Sequence, residues 1–390
     1  MEINDLRTQL QVRLGRQVRV ERDTHAVSVT DGRFTSLVGL PQIRGVLDSL
    51  NVTKDPSANN DSVLNSIGNT PLQKLSVGFR GQTYEIFGKL EFVNPSGSIK
   101  DRIAKYMIEQ AEQRGLLGPG SVIVEATSGN TGIALSMVAA AKGYKMLVVM
   151  PEHMTGERIK IMANLGACIC LTPKNEGFEG AVARAADISK SDRHYFLTDQ
   201  FRNPDNAMAH YHTTGQEIIQ QTGGKIDAFV AGVGTGGTLM GVGRALREKN
   251  ERIRLIAVEP DEAAVLSGQK DLQDHKIAGI GDGFVPEIVN RSAIDQVVRV
   301  RSDDAVEMAR RLSSNLGLMV GVSSGANVFA SIMVLDEIGR DKRVVTVLPD
   351  RAERYFSTDL FLGDEMQIRQ CSMHCECPFY THGLIPHLTP

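Results

Sequence analysis

From residue 61 onward the sequence alternates short apolar runs with longer amphipathic stretches. The apolar runs are rich in β-branched residues, which is typical of strands buried on both faces. These predicted strands fall at 84–90, 122–124, 146–150, 228–233, 255–258, 296–300 and 344–348. Predicted helices lie between them at 101–113, 133–142, 156–165 and 239–249. Strands separated by helices form βαβ units, so the pattern predicts an α/β fold with mostly parallel, twisted sheets.

Changes in this pattern divide the chain into four predicted segments. Residues 1–60 mix helix-like and strand-like patterns and predict a small α/β appendage of unknown role, which ends in a polar linker near 54–61. We expect residues 61–205 to form a smaller αβ domain and residues 206–362 a larger one. Residues 363–390 lose the periodicity and are interpreted as a tail that contains Cys and His.

Charge and hydropathy exclude several classes of partner. The formal net charge is -3 at pH 7, and nucleic-acid or anionic-membrane binding usually needs a basic surplus. No apolar run approaches the roughly 18 residues that a membrane span needs. The N-terminus lacks the apolar core of a signal peptide. We therefore expect a cytoplasmic protein without nucleic-acid or membrane partners.

A glycine-rich turn follows the predicted strand at 228–233 and opens a helix. It contains Gly234, Thr235, Gly236, Gly237 and Thr238. Glycines let a backbone approach an anion closely, and the free N–H groups at a helix start favour a phosphate. The turn therefore predicts a phosphate-binding loop.

The same turn also fits a dinucleotide-binding fingerprint. Gly232, Gly234 and Gly237 have the required spacing, and Glu259 ends the next predicted strand where a ribose-binding acid would lie. From local sequence alone, an NAD-dependent oxidoreductase therefore remains an alternative. A third class is a scaffold that keeps the fold without turnover.

Two further segments carry candidate functional groups. Lys100 opens a predicted helix, where the helix dipole disfavours its positive charge and favours a free amine. Thr127, Ser128, Asn130 and Thr131 cluster at another predicted helix start, which suits a carboxylate. Taken singly, the first could be a surface lysine and the second an N-cap.

Together, these segments resemble one family. The chain contains Asn-Pro-Ser-Gly-Ser-Ile-Lys-Asp-Arg at 94–102, Thr-Ser-Gly-Asn-Thr-Gly at 127–132, Gly-Thr-Gly-Gly-Thr at 234–238 and Gly-Val-Ser-Ser-Gly-Ala at 321–326. In this order the motifs resemble the cysteine synthase (O-acetylserine sulfhydrylase) and cystathionine β-synthase family of fold-type II pyridoxal-phosphate (PLP) enzymes. The resemblance spans roughly residues 61–362.

The resemblance implies a role for each motif. Lys100 would hold the cofactor as a Schiff base, and the loop of Gly234, Thr235, Gly236, Gly237 and Thr238 would bind its phosphate. Asn130 would bond to the ring oxygen, and Ser323 would contact the ring nitrogen. The substrate carboxylate would be held by four residues: Thr127, Ser128, Thr131 and Gln200.

The resemblance also implies a reaction, β-replacement on an activated serine. Lys100 would additionally remove the Cα proton. O-Acetylserine and sulfide, giving L-cysteine and acetate, are the expected substrates. O-Phosphoserine-dependent and cystathionine β-synthase-type replacement remain alternatives, and the family implies a homodimer.

The chain departs from the family pattern at two positions. Asp282 stands where a small residue is common, and Ala352 replaces a usual glycine. Both changes could alter the choice of donor or nucleophile.

The tail carries Cys371, Cys375 and Cys377 near His382 and His387. These residues could ligate zinc, but their spacing is not that of a common zinc motif, so no metal site is predicted. A tail with reduced thiols fits better, and a redox-responsive tail is a third interpretation.

Overall fold

The computed structural model describes residues 29–30, 33–34, 61–127, 129–152 and 156–362. Most of the predicted N-terminal appendage, its linker and the Cys-containing tail therefore lie outside the described residues. Of the appendage, the structure describes two short strands that pair antiparallel.

Strands and helices alternate through most of the described chain. The strands are β1 Val29–Thr30, β2 Arg33–Phe34, β3 Leu72–Phe79, β4 Gln82–Leu90, β5 Val122–Ala126, β6 Lys145–Pro151, β7 Cys168–Thr172, β8 Tyr195–Leu197, β9 Ala228–Gly232, β10 Arg254–Pro260, β11 Gln296–Val300 and β12 Val344–Leu348. The helices are α1 Asp61–Asn65, α2 Lys100–Gln113, α3 Asn130–Lys142, α4 Gly156–Asn164, α5 Gly177–Ser191, α6 Asp205–His210, α7 Gln216–Thr222, α8 Gly237–Arg247, α9 Ser302–Leu316, α10 Val322–Ile338 and α11 Asp359–Leu362.

Two sheets organise these elements. The larger has six strands in the order β11-β10-β9-β12-β4-β3, and the smaller has four in the order β7-β6-β5-β8. The smaller sheet is wholly parallel. In the larger one only the β3–β4 pair is antiparallel. The predicted α/β fold with mostly parallel sheets is confirmed.

Helices cover both faces of each sheet, which explains why the central strands are continuously apolar. On one face of the larger sheet, Val230 and Val258 pack with Met308 of α9 and Ile332 of α10. On the other face, strand residues such as Phe229 pack against α8. The smaller sheet is enclosed by α2 and α3 on one side and by α5 on the other.

The strand pair at residues 72–90 belongs to the larger sheet. β4 pairs in parallel with β12, so β3 and β4 complete that sheet. The domain bounds 61–205 and 206–362 stay predictions. Long-range pairing decides this placement, because β4 matches the register of a strand more than 250 residues later.

A buried ionic network holds the start of α2. Arg102 donates to Glu91 at 2.7 Å and 2.9 Å and to Glu217 at 2.7 Å and 2.8 Å. Lys89 Nζ also lies 2.7 Å from Glu217. Burial raises the pKa of Glu217, but the bonds from Arg102 and Lys89 outweigh it and lower that pKa to about 2. Because the charges are buried, loss of one partner would leave another uncompensated.

Within the described part of the chain, no helix combines the length and apolar character needed to cross a bilayer.

Candidate active site

A cleft opens where four strands end. The loops that follow β4, β5, β9 and β12 lead to Lys100, Asn130, Gly234 and Pro349, respectively. The empty space in the cleft, including the part that is open to solvent, has a volume of about 520 Å³. Ligands of open α/β sheets bind at such carboxyl ends. The lining consists of Ile99, Lys100, Asn130, Gly232, Gly234, Thr235, Gly236, Thr238, Ala278, Gly279, Ile280, Ser323, Asn327, Val347 and Pro349.

Lys100 is the first residue of α2, and its side chain lines this cleft. Burial lowers the pKa of its amine from the usual value, while the charges of Asp282 and Asp350 oppose that shift. The positive end of the α2 dipole also disfavours the ammonium form. A larger share of the amine is therefore unprotonated near neutral pH, as a nucleophile or a base requires.

The glycine loop forms the start of α8 and lines the same cleft. Gly236 has φ +83°, a conformation that side chains other than glycine rarely adopt. A Cβ on Gly237 would overlap Asn206 Oδ1. The Asn206 amide donates to Thr235 Oγ1 at 3.0 Å. The loop therefore needs its glycines, and the helix start it forms is suited to a phosphate.

A buried histidine supports the same loop. Thr238 Oγ1 lies 3.2 Å from His210 Nε2, and His210 Nδ1 lies 2.9 Å from Thr214 Oγ1. Burial lowers the pKa of His210 well below its usual value, and the positive charge of Lys100 acts in the same direction. The ring is therefore neutral at pH 7 and links two hydroxyl groups without adding charge.

Glu259 does not serve as a ribose-binding acid. It is 1% exposed, and its two carboxylate oxygens accept from the backbone N–H groups of Leu266 and Ser267 at 2.7 Å and 3.0 Å. The Ser267 hydroxyl also donates to it. Because both oxygens already accept hydrogen bonds from the protein, Glu259 is not available to bind a ribose, which argues against a dinucleotide site.

Asn130, the first residue of α3, is bonded at both ends of its amide. Its Nδ2 donates to Asp350 Oδ2 at 2.6 Å, and its Oδ1 accepts from Arg354 Nη1 at 2.7 Å. Asp350 and Arg354 both follow β12. The predicted ring-oxygen partner is thus held by two side chains from the loop after β12.

Two of the predicted carboxylate-binding residues meet at the start of α3. Thr131 Oγ1 donates to Gln200 Oε1 at 2.7 Å, and both residues are buried. Thr127 Oγ1 accepts from the Gly129 N–H at 3.3 Å. These three residues do not line the described part of the cleft itself. Ser128 lies outside the described residues.

Ser323 and Asn327 lie on α10 and line the cleft. Ser323 is where the sequence predicts the ring-nitrogen partner. Asn327 accepts from the Gly232 N–H at 2.8 Å and donates to the Val347 carbonyl at 2.9 Å. It therefore ties together the ends of β9 and β12.

Sequence reasoning missed the residues that support this site. Asn206, His210, Asn327, Asp350 and Arg354 were not among its candidates. The one available signal was polarity within otherwise apolar helices, as at Asn327 in α10.

No group of His, Cys, Asp and Glu in the described ranges is arranged to hold a metal ion. Cys168 and Cys170 are buried in β7. Burial, with a smaller effect of Cys170, raises the pKa of the Cys168 thiol to about 12. Cys371, Cys375 and Cys377 lie outside the described residues.

The fold and this cleft define a class of protein. One cleft lined by a lysine amine, a phosphate-type helix start, an amide and a hydroxyl fits an enzyme that binds a phosphorylated cofactor through lysine.

Comparison with known proteins gives the family. The model of the pyridoxal-phosphate dependent enzymes matches residues 63–350, and the chain belongs to this family. It is 46% identical over 306 residues to the cysteine synthase of Staphylococcus aureus. The matched region covers 78% of this chain and 98% of that protein.

Two solved structures are similar over comparable lengths. The O-acetylserine sulfhydrylase isoform 3 of Entamoeba histolytica is 40% identical, with a TM-score of 0.72, and covers 80% of this chain and 93% of its own. The O-acetylserine-dependent cystathionine β-synthase of Helicobacter pylori is 38% identical, with a TM-score of 0.73. The match covers 77% of this chain and 98% of that one. The predicted family, the fold-type II class and the PLP cofactor are confirmed.

Proposed function

We propose that this enzyme replaces the acetyl group of O-acetylserine by sulfide, giving L-cysteine and acetate. The observation that carries the proposal is the position of Lys100, which shares one cleft with the glycine loop, Asn130 and Ser323. The names of the similar proteins support the donor, because two of them refer to O-acetylserine.

The residues of the cleft fit PLP. The start of α8 offers the phosphate a helix dipole and a loop without side chains at Gly236 and Gly237. Asn130 supplies an amide for the ring oxygen, and Ser323 a hydroxyl for the ring nitrogen. When bound, PLP draws electrons from the Cα of the attached amino acid, which allows a group on the β-carbon to leave.

Lys100 has two functions in this proposal. Its amine would anchor the cofactor and, once the amino group of the substrate has taken its place there, would be the base that removes the Cα proton. Loss of that proton would let acetate leave with the C–O bonding electrons, and sulfide would supply the electrons of the new C–S bond. The same amine would return the proton to Cα. Its lowered pKa suits both functions, because each begins from the unprotonated form.

The substrate carboxylate is held at the start of α3. Thr131 and Gln200 already share a hydrogen bond there, and the helix dipole favours a negative charge. Thr127 and Ser128 complete the predicted set. This contact fixes the substrate by the end that does not react, which orients Cα towards Lys100.

Asp282 favours a donor without additional negative charge. Its carboxyl group interacts electrostatically with Lys100 and lies near Gly234, and both of these residues line the cleft. Desolvation raises the pKa of Asp282, and Lys100 opposes that shift. Where Asp282 is ionised, it repels a phosphoryl leaving group more than an acetyl group.

A donor panel tests the proposal. Purified holoenzyme is supplied with O-acetylserine, O-phosphoserine or serine, each with sulfide or homocysteine, and the products are quantified. We expect cysteine from O-acetylserine and sulfide as the fastest reaction. Faster formation of cystathionine, or a preference for O-phosphoserine, would instead assign one of the alternative β-replacements.

We further propose that the enzyme is a cytoplasmic homodimer, as the family resemblance led us to expect. Sedimentation at several protein concentrations tests the dimer, and a constant monomer mass would contradict it.

A further inference from the structure

We propose that Asp350 and Arg354 are positioning residues that hold the Asn130 amide as a hydrogen-bond donor towards the cofactor ring oxygen. This inference rests on the proposed function, because it takes Asn130 as the partner of that oxygen. It assigns a function to two buried residues that the reaction itself does not use.

The amide of Asn130 has two possible orientations, and only one satisfies both neighbours. Arg354 offers donors only, so it requires the amide oxygen, which it meets at 2.7 Å. Ionised Asp350 offers acceptors only, so it requires the amide nitrogen, which it meets at 2.6 Å. That nitrogen carries two hydrogens, and Asp350 takes one. The second is therefore available to the cleft that Asn130 lines.

This orientation is the one that the cofactor chemistry requires. The ring oxygen of PLP carries negative charge when its proton is lost, so it needs a donor. A flipped amide would direct its own oxygen at that charge. Hydrogen bonds to ionised groups are stronger than neutral ones, which makes the orientation of a single amide matter.

The two positioning residues are themselves fixed. Asp350 is 1% exposed, and the Tyr355 hydroxyl donates to its Oδ2 at 2.6 Å. Burial and the charge of Asp350 raise the pKa of Tyr355, so this hydroxyl keeps its proton. Arg354 is 5% exposed and also donates to the Gly97 carbonyl at 3.1 Å.

The same loop also fixes the backbone beside Lys100. The Ile99 N–H donates to the Pro349 carbonyl at 2.8 Å, and the Arg351 N–H donates to the Gly97 carbonyl at 3.3 Å. The loop after β12 therefore holds the Asn130 amide and the residue before Lys100 together. A change at Asp350 should accordingly be detected at the cofactor.

Asp350→Asn tests the inference, because it keeps the shape of the side chain but no longer imposes one amide orientation. Two quantities are measured on holoenzyme: the PLP dissociation constant and the absorption spectrum of the bound cofactor. We expect about tenfold weaker binding and a shift of absorbance from the visible towards the near ultraviolet, as the ring oxygen gains a proton. Arg354→Met should give the same shift, and Tyr355→Phe a smaller one.

Glu353→Gln is the matched control. Glu353 is exposed on the same loop, and the substitution removes one negative charge as Asp350→Asn does. We expect its spectrum and PLP affinity to equal those of the wild type.

A double-mutant cycle separates positioning from general support of the fold. Once Asn130→Ala has removed the amide, Asp350→Asn should have little further effect on PLP affinity or on the spectrum. Additive effects, or an unchanged spectrum in Asp350→Asn and Tyr355→Phe, would overturn the inference. If the wild type binds PLP and converts O-acetylserine while these variants keep its spectrum, only this inference fails. A wild type without bound PLP, or with another donor preference, counts against the proposed function instead.

Discussion

Replacing Glu125 by glutamine should flatten the dependence of protein stability on pH. Glu125 is 2% exposed in β5. Burial raises the pKa of its carboxyl from 4.5 to about 8, although the Thr198 hydroxyl acts in the opposite direction. The folded protein therefore keeps this proton to a higher pH than the unfolded chain does. The corresponding stability is fully present below about pH 4.5 and is lost as the pH rises through about 8.

The expected magnitude follows from the size of the shift. Each pKa unit corresponds to about 1.4 kcal/mol. Between pH 5 and 7, Glu125 ionises in the unfolded chain but keeps its proton in the folded protein, which should lower the free energy of unfolding by roughly 2–3 kcal/mol. For a protein of this size, that equals roughly 2–4 °C in the melting temperature. Glu125→Gln cannot ionise and should lack this part of the decrease.

Thermal unfolding of holoenzyme is monitored by circular dichroism at several pH values. Glu179→Gln, on the exposed face of α5, is the control and should follow the wild type. If Glu125→Gln lost stability between pH 5 and 7 as steeply as the wild type, the carboxyl would already be ionised at pH 5 and the argument from burial would be refuted.

Three further substitutions test other parts of the account. Glu217→Gln weakens the network around Arg102 and should lower the free energy of unfolding by about 3 kcal/mol, as measured in urea. Gly237→Ala places a Cβ against Asn206 and should weaken PLP binding at least tenfold, as measured by titration of apoenzyme; an unchanged affinity would count against a phosphate at the start of α8. Asp282→Ala should raise kcat/KM for O-phosphoserine relative to O-acetylserine by about fivefold, and an unchanged ratio would exclude charge selection by Asp282.

Local sequence patterns predicted the strands that helices cover on both faces. The run at 344–348 matches β12 residue for residue, and the runs at 228–233 and 255–258 differ from β9 and β10 by one or two residues at their ends. Such runs are unambiguous because burial on both faces removes polar residues from them. The predicted helix at 133–142 began three residues late, because Asn130 and Thr131 resemble a cap rather than a first turn.

The supporting residues of the site were beyond the reach of local patterns. Asp350 and Arg354 follow β12 in a segment without periodicity. Their partner Asn130 lies far away in the sequence, 220 residues before Asp350. Glu259 matched the dinucleotide spacing, yet its oxygens are bonded by a loop that spacing does not describe. Ala352 departs from the family glycine without strain, since it is not among the described residues with positive φ.

The most direct test of the central claim is to identify the lysine that holds the cofactor. Holoenzyme is reduced with borohydride, which converts the bond between PLP and lysine into a stable amine, and its peptides are then mapped by mass spectrometry. The account predicts a phosphopyridoxyl group on the peptide that contains Lys100, with loss of both the label and the visible absorbance in Lys100→Ala. A label on another lysine, or visible absorbance that persists in Lys100→Ala, would contradict it.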